Sequence, residues 1–138
     1  MNLKYLLDTN IVSEPLRPNP AAGVLQKLRR YEDEIAIPSV VWHELRFGAH
    51  RLPSSRRRTA IERYLDEVVL ATMPILDYDR AAAEWHATER ARLQARGHVA
   101  PFVDGQIAAI ARVHELILVT FNEADFKRFH GISIQSWR

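Results

Sequence analysis

Four acidic residues stand where the local pattern predicts apolar ones. Asp8 ends the apolar run YLL, and Glu44 falls in the apolar stripe of the helix-like segment VVWHELRFG. Asp104 shares a face with small and apolar residues in FVDGQIAAIARVHE, and Asp125 follows the strand-like run LILVT within FNEADF. Because a buried carboxylate is costly unless something pairs with it, these positions call for a chemical explanation.

Each acid taken alone also has an ordinary structural explanation. Asp8 suits the N-cap of a following helix, and Glu44 suits a half-exposed position beside a basic neighbour. Asp104 suits the first turn of a helix, where the dipole favours an acid, and Asp125 suits an exposed helix position. Together, however, four carboxylates at one edge of a sheet would repel one another unless cations lay between them. Oxygen-only ligands select Mg²⁺ or Mn²⁺, and such a site suits hydrolysis of a phosphodiester.

Other motifs give weaker alternatives. The segment HELRF begins like the helix of a zinc protease, but Phe47 stands where the second His is required. Asp77 and Asp79 form a DYD triplet that suggests a phosphatase pair, although Asp79 suits a helix cap better. The glycines are too scattered for a phosphate-binding loop. The carboxylate set therefore remains the stronger candidate.

The elements that must position these acids alternate along the chain between strand-like and helix-like segments. This alternation predicts an α/β fold with a central parallel sheet of about four to five short strands flanked by helices. Asn19, Ser39 and Asp79 are the predicted N-caps of three helices, and Pro101 opens a fourth. In such a fold ligands bind beyond the carboxyl ends of the strands, where Asp8 would stand. The predicted strands lie within the runs LKYLLD, EIAIP, MPILD, LILVT and ISIQSW.

Length and composition favour one soluble domain spanning residues 1–138. The chain carries a formal net charge of +2 and has no cysteine, so disulfides and thiolate metal sites are excluded. No apolar run approaches a membrane span, and no signal-type segment opens the chain, so we expect a cytoplasmic protein without membrane contact.

Basic residues cluster in two places, and both clusters flank the acids in sequence. Such runs are usually solvated helix faces, but they also suit contact with an RNA backbone. The clusters are Arg51 with Arg56, Arg57 and Arg58, and Arg90 with Arg92, Arg96 and His98.

The segments YLLDTNIVSE, PSVVWHELRFG, DGQIAAIA and ILVTFNEADF resemble, in order, the four motifs of PIN-domain ribonucleases. The resemblance is closest to the VapC/FitB-like toxins of bacterial type II toxin–antitoxin systems, and it covers nearly the whole chain. It implies that Asp8, Glu44 and Asp104 hold Mg²⁺ or Mn²⁺ and that the enzyme is a metal-dependent endonuclease hydrolysing RNA phosphodiester bonds.

The resemblance also suggests roles for residues around these acids. Asp125 matches the more variable fourth acid, and a water held by Asn122 is the alternative to it as a ligand. The polar residues that would orient the ligands or the substrate are Thr9, Asn10, Thr120 and Asn122.

The partners implied are an RNA substrate, a cognate small DNA-binding antitoxin and a second copy of the chain in a homodimer. Higher hetero-oligomers would form with the antitoxin, and operator DNA would be contacted only through it. The aromatic residues Trp42, Phe47 and Tyr64 suit either such interfaces or the core. An alternative function is that of a weakly catalytic or non-catalytic partner subunit in a DNA-bound repressor complex.

Overall fold

The computed structural model describes residues 2–138, which form a five-stranded sheet covered by helices. All four strand pairs are parallel, and the strand order is β3-β2-β1-β4-β5. The predicted α/β architecture is therefore confirmed. The strands are β1 (Tyr5–Leu7), β2 (Ile35–Pro38), β3 (Ile75–Leu76), β4 (Ile117–Val119) and β5 (Ser133–Gln135).

The helices follow the predicted alternation with the strands. A 3₁₀ turn (Glu14–Leu16) follows the first helix, and a π-helical turn (Leu65–Val69) joins the fourth helix to the fifth. The helices are α1 (Thr9–Val12), α2 (Ala22–Arg30), α3 (Ser39–His50), α4 (Arg56–Tyr64), α5 (Leu70–Thr72), α6 (Arg80–Ala95), α7 (Phe102–Val113) and α8 (Glu123–Phe126).

Two of the three predicted N-caps are wrong. Helix α2 begins after Ala21, not Asn19, because the Ala21 N–H donates to the buried Glu14 carboxylate at 3.0 Å and holds the chain extended until that point. Ser39 is the first residue of α3, because β2 runs through Pro38 directly into the helix. Asp79 does cap α6, and its carboxylate accepts from the Ala82 N–H at 3.0 Å.

The core lies on both faces of the sheet, as expected for parallel strands that read as continuous apolar runs. All three residues of β1 are buried, and Leu118 and Val119 of β4 are fully buried beside them. Tyr64 belongs to this packing, because its hydroxyl donates to the Val12 carbonyl at 2.6 Å, and burial raises the pKa of Tyr64 to about 12. Of the aromatic residues Trp42, Phe47 and Tyr64, only Phe47 has more than half of its surface exposed, at 53%.

Successive strands are added on one side of β1 up to β3 and on its other side from β4 onward, so the switch point of the sheet lies between β1 and β4. The chain moves from β1 outward through β2 to β3, and then crosses to the other side of β1 for β4 and β5. Crevices at such switch points are where open parallel sheets bind ligands, beyond the carboxyl ends of the strands. Asp8 and Thr120 directly follow β1 and β4, so they flank this crevice.

None of the helices within residues 2–138 combines the length and the apolar character that a membrane-spanning segment requires.

Candidate active site

Asp8 is held at the carboxyl end of β1 by hydrogen bonds to both carboxylate oxygens. The Thr9 N–H donates to Oδ1 at 2.8 Å, and the Thr120 hydroxyl donates to Oδ2 at 2.8 Å. Its own N–H donates to the Val119 carbonyl at 2.9 Å, so the backbone is also fixed against β4. Asp8 is only 8% exposed. Asp8 therefore caps α1 and also lies at the carboxyl edge of the sheet. Its role as a helix cap is compatible with its proposed role in the carboxylate site.

Thr120 connects Asp8 to the loop that follows β4. Its side chain is fully buried, and its hydroxyl oxygen accepts from the Asn122 N–H at 3.0 Å while the hydroxyl donates to Asp8. The hydroxyl proton is thereby directed at the carboxylate, since the oxygen already accepts from a backbone donor. The Asn122 side chain is exposed and makes no capping bond to α8, and Asn10 is exposed in α1.

Asp104 lies in the first turn of α7 and faces two other acids across the crevice. Burial is the main cause that raises the pKa of Asp104 to about 6, and the negative charges of Asp8 and Asp125 raise it further. Asp125 is exposed in the first turn of α8. Three acids that are distant in sequence thus interact electrostatically at one edge of the sheet.

Glu44 does not lie on the buried face of α3, and that part of the sequence prediction is wrong. Its side chain is 47% exposed, and its carboxylate is 3.8 Å from His43 Nδ1. The alternative of a half-exposed acid beside a basic neighbour describes it better; Arg46 is engaged elsewhere, by Asp66. Glu44 lies at the border of the apolar stripe, where a long side chain reaches solvent. It lines a cleft together with Thr9, the residue that follows Asp8.

The donor chemistry of these acids fits a hard divalent cation. Within residues 2–138 no three Asp, Glu or His side chains are already arranged around a single metal position. Yet the ligands on offer are all oxygens, and a bound cation would offset both the burial and the neighbouring negative charges that raise the pKa of Asp104. Asp8, whose rotamer is fixed on both oxygens, is the best ordered of them.

The close contact between Gly105, which follows Asp104, and His86 was not predicted from the sequence. Gly105 packs against His86 of α6 so tightly that a Cβ atom there would lie 2.0 Å from His86 Nε2. His86 is buried, and its Nδ1 lies 2.8 Å from the Tyr78 hydroxyl. This contact sets the distance between α6 and the helix that carries Asp104. A glycine inside the helical run DGQIAAIA is the signal that could have indicated it.

A buried ion pair on α6 also went unpredicted. Glu89 is 5% exposed and accepts two hydrogen bonds from Arg92, at 3.0 and 2.7 Å. It accepts a third from the His130 N–H at 2.7 Å, while Arg92 donates to the Arg128 carbonyl at 2.8 Å. The Arg92 hydrogen bonds lower the pKa of Glu89 despite its burial. The pair fixes the segment between α8 and β5 to α6.

The chain belongs to the PIN domain family, whose model matches residues 5–132. The five-stranded parallel sheet flanked by helices matches the fold of the similar solved structures.

Among individual relatives, the chain is 35% identical to the tRNA(fMet)-specific endonuclease VapC of Shigella flexneri, covering 98% of each chain. It is 31% identical to the toxin FitB of Neisseria gonorrhoeae, covering 88% of this chain and 89% of FitB. Its structure is similar to FitAcB from Neisseria gonorrhoeae, with a TM-score of 0.87, 29% identity and coverage of 96% and 97%. It is also similar to DNA-bound VapBC from Salmonella typhimurium, with a TM-score of 0.82, 29% identity and 99% coverage of both chains. The resemblance to VapC and FitB is therefore confirmed.

Proposed function

We propose that this protein is the ribonuclease toxin of a toxin–antitoxin pair and that it requires a divalent metal ion. The observation that carries the proposal is the convergence of Asp8, Asp104 and Asp125 at the switch point of the sheet. Like charges on three separate elements lower the stability of the fold. A site that bound no cation would have no reason to retain them. Similarity to VapC ribonucleases supports the same reaction class.

The residues divide the work of such a site. Asp8, Glu44 and Asp104 supply carboxylate ligands for Mg²⁺ or Mn²⁺, and Asp125, or a water beside Asn122, completes the set. A bound ion would lower the pKa of the attacking water and stabilise charge on the phosphate. The Thr120 hydroxyl and the Thr9 N–H keep Asp8 in one rotamer, so the first ligand is oriented before substrate arrives. Asn10 and Asn122, both exposed at this edge, are available to orient the RNA.

The partners follow from the same proposal. A small antitoxin inhibits the toxin and contacts operator DNA, and the toxin forms a homodimer in the cytoplasm. The pairing with an antitoxin and with DNA is supported by similarity to the structures of FitAcB, of VapBC bound to DNA and of FitAB bound to an IR36 DNA fragment. Exposed apolar side chains, among them Phe47 and Phe102, offer surface for these protein contacts.

A second candidate function is a subunit that completes a DNA-bound repressor complex without cutting RNA. Similarity to FitAB bound to an IR36 DNA fragment favours it, since in that structure the pair is bound to DNA. The two candidates differ in what they require of the carboxylates, because only the nuclease needs them intact.

The decisive experiment measures metal binding and RNA cleavage on the same samples. Mn²⁺ is titrated by calorimetry into the wild type, Asp104→Asn and the control Asp33→Asn, an exposed acid just before the amino end of β2 and so at the opposite edge of the sheet. Cleavage of total cellular RNA is then assayed. The nuclease proposal expects binding and cleavage in the wild type and the control, and loss of both in Asp104→Asn.

Two other outcomes would reject the nuclease proposal. Metal binding without cleavage of any RNA would favour the repressor subunit, and no metal binding in the wild type would remove the basis of the site. Expression without the antitoxin gives a parallel cellular test, in which the wild type arrests growth and Asp8→Asn does not.

A further inference from the structure

A second feature lies next to the carboxylates. A cleft of about 660 Å³ runs between the first helical turns of the chain and helices α3 and α4. Thr9 and Glu44 both contribute to its lining, so the cleft is continuous with the proposed metal site. We propose that it holds the RNA strand adjacent to the cleaved phosphate, with Arg51 and Arg57 binding backbone phosphates. This inference rests on the proposed function and names the path of its substrate.

The charge of the cleft favours a polyanion. Arg17, Arg51 and Arg57 line it, and among residues 2–138 Glu44, which belongs to the proposed metal site, is the one acid that does. Arg17 is 3.5 Å from the Glu14 carboxylate, so the unpaired positive charge of the lining comes from Arg51 and Arg57. A metal ion bound at the carboxylates would make the local charge more positive still. An RNA backbone carries the complementary charge at every nucleotide.

Arg51 and Arg57 line the cleft without an acidic partner among residues 2–138. Within residues 2–138 no carboxylate oxygen lies within 4.0 Å of either guanidinium. By contrast, Arg58 is engaged by Glu62 at 2.6 Å and donates to the Leu52 carbonyl. Of the predicted basic run at residues 56–58, Arg58 is therefore structural, and of the two arginines without an acidic partner in the described part of the chain Arg57 is the one that lines the cleft.

The second predicted basic group offers less to an RNA strand in this cleft. Arg92 is committed to the buried Glu89 carboxylate, so it is unavailable for RNA. Arg90 lies over the Phe102 ring at 5.4 Å, on α6, and does not line the cleft. The cleft beside α3 and α4 is thus the better site for phosphate contact.

The positions of Arg51 and Arg57 suit this role. Arg51 follows the last residue of α3 and takes part in that helix end only through its backbone N–H. Its guanidinium lies over the exposed Phe47 ring at 5.7 Å, which orients the group while leaving its N–H donors free. Arg57 is the second residue of α4 and is exposed. Neither side chain is needed to hold the fold.

The walls of the cleft are mostly apolar. Leu45, Ala49, Leu52 and Ile61 contribute to them. Apolar walls with cationic groups suit a single strand, whose riboses and unstacked bases pack on the protein while its phosphates are paired. A peptide from a protein partner would also find apolar contacts here, but it would leave the arginines unmatched unless it were acidic. The charge excess therefore favours RNA.

The test compares two double variants with the same change of charge. Arg51→Gln/Arg57→Gln removes the proposed contacts. Arg30→Gln/Arg112→Gln removes two exposed arginines at the ends of α2 and α7, next to the amino ends of β2 and β4 and so at the opposite edge of the sheet. Arg30 also lies over an aromatic ring, Tyr31, at 5.3 Å, which makes it a close match for Arg51.

Affinity for a fluorescent single-stranded RNA of mixed sequence is measured by anisotropy in EDTA over a range of salt concentrations. Cleavage of total RNA is followed separately with Mn²⁺, and folding is checked by thermal melting. Loss of two phosphate contacts should reduce the slope of log affinity against log salt by about 1.4, which is about 25-fold in affinity at about 0.1 M salt. The control pair should stay within about twofold of the wild type.

The outcomes separate this inference from the proposed function. A wild type that binds and cleaves RNA while both double variants behave alike would overturn the cleft and leave the nuclease intact. A wild type that neither binds nor cleaves RNA would overturn both. If the Arg51/Arg57 variant kept its RNA affinity but lost binding to the antitoxin, the cleft would be a protein-docking surface and the inference would be wrong.

Discussion

Replacing Asp104 by Asn should make the metal-free protein more stable. The pKa of Asp104 is raised from 3.8 to about 6, so the native state holds this proton more tightly than the unfolded chain does. At about 1.4 kcal/mol for each pH unit the rise corresponds to about 3 kcal/mol, which solvent screening of a half-buried group reduces to about 1–2 kcal/mol. The amide removes the charge, and this penalty with it, while keeping the shape of the side chain.

The sign of the pH dependence follows from linkage. Because the pKa of Asp104 is higher in the native state, binding of a proton to this carboxyl stabilises the fold. This stabilisation is complete below about pH 4 and is lost as the pH rises to about 6. The advantage of Asp104→Asn should therefore be absent near pH 4 and complete at about pH 8.

Urea unfolding in EDTA at both pH values measures this difference, with Asp33→Asn as the control. Added Mn²⁺ should reverse the order at about pH 8 by stabilising the wild type more than the variant. A variant that in EDTA is no more stable than the wild type at about pH 8 would refute the argument that burial and neighbouring charges penalise the ionised Asp104 carboxylate.

Three further substitutions test the packing around the site. Thr120→Val should weaken Mn²⁺ affinity about tenfold or more by removing a hydrogen bond to the first acid, whereas Thr120→Ser should retain it; calorimetry decides, and equal affinities would contradict the positioning role. Glu89→Ala should cost about 3 kcal/mol in urea unfolding because Arg92 stays behind unpaired, and the double change with Arg92→Leu should recover part of that loss; strict additivity would argue against a coupled pair. Gly105→Ala should cost about 1–3 kcal/mol through its clash with His86, and His86→Ala should rescue it; a thermally neutral Gly105→Ala would contradict the contact.

The strand and helix pattern was predictable because each element is specified locally. Apolar runs of strand length alternate with helical periodicity, and Asp79 and Pro101 mark helix starts correctly. The cap errors arose where the element before the helix decides the boundary. At Asn19 a buried carboxylate from the preceding 3₁₀ turn sets the start of the helix, and at Ser39 the preceding strand leaves no residue for a cap.

The site was predictable in part, for a different reason. Asp8 and Asp104 interrupt apolar patterns, and such an interruption can be recognised from the sequence alone. The exposure of Glu44 was not visible, because periodicity gives the direction of a residue on a helix but not how far its side chain reaches. Thr120 could be placed near Asp8 only through the family motif. Their hydrogen bond joins residues at the ends of two neighbouring strands, a pairing that local patterns do not determine.

The distribution of unpaired charge gives the strongest argument that this surface acts on something. The buried Glu89 carboxylate, by contrast, is compensated by three hydrogen bonds. At the switch point it gathers negative charge around Asp104, and in the adjoining cleft it leaves the positive charges of Arg51 and Arg57 without acidic partners among residues 2–138. These opposite charges remain uncompensated side by side, although pairing them would have stabilised the chain. A metal cation at the acids and a polyanion at the arginines would satisfy both sets at once, so the site and the cleft are best explained as two parts of one binding surface.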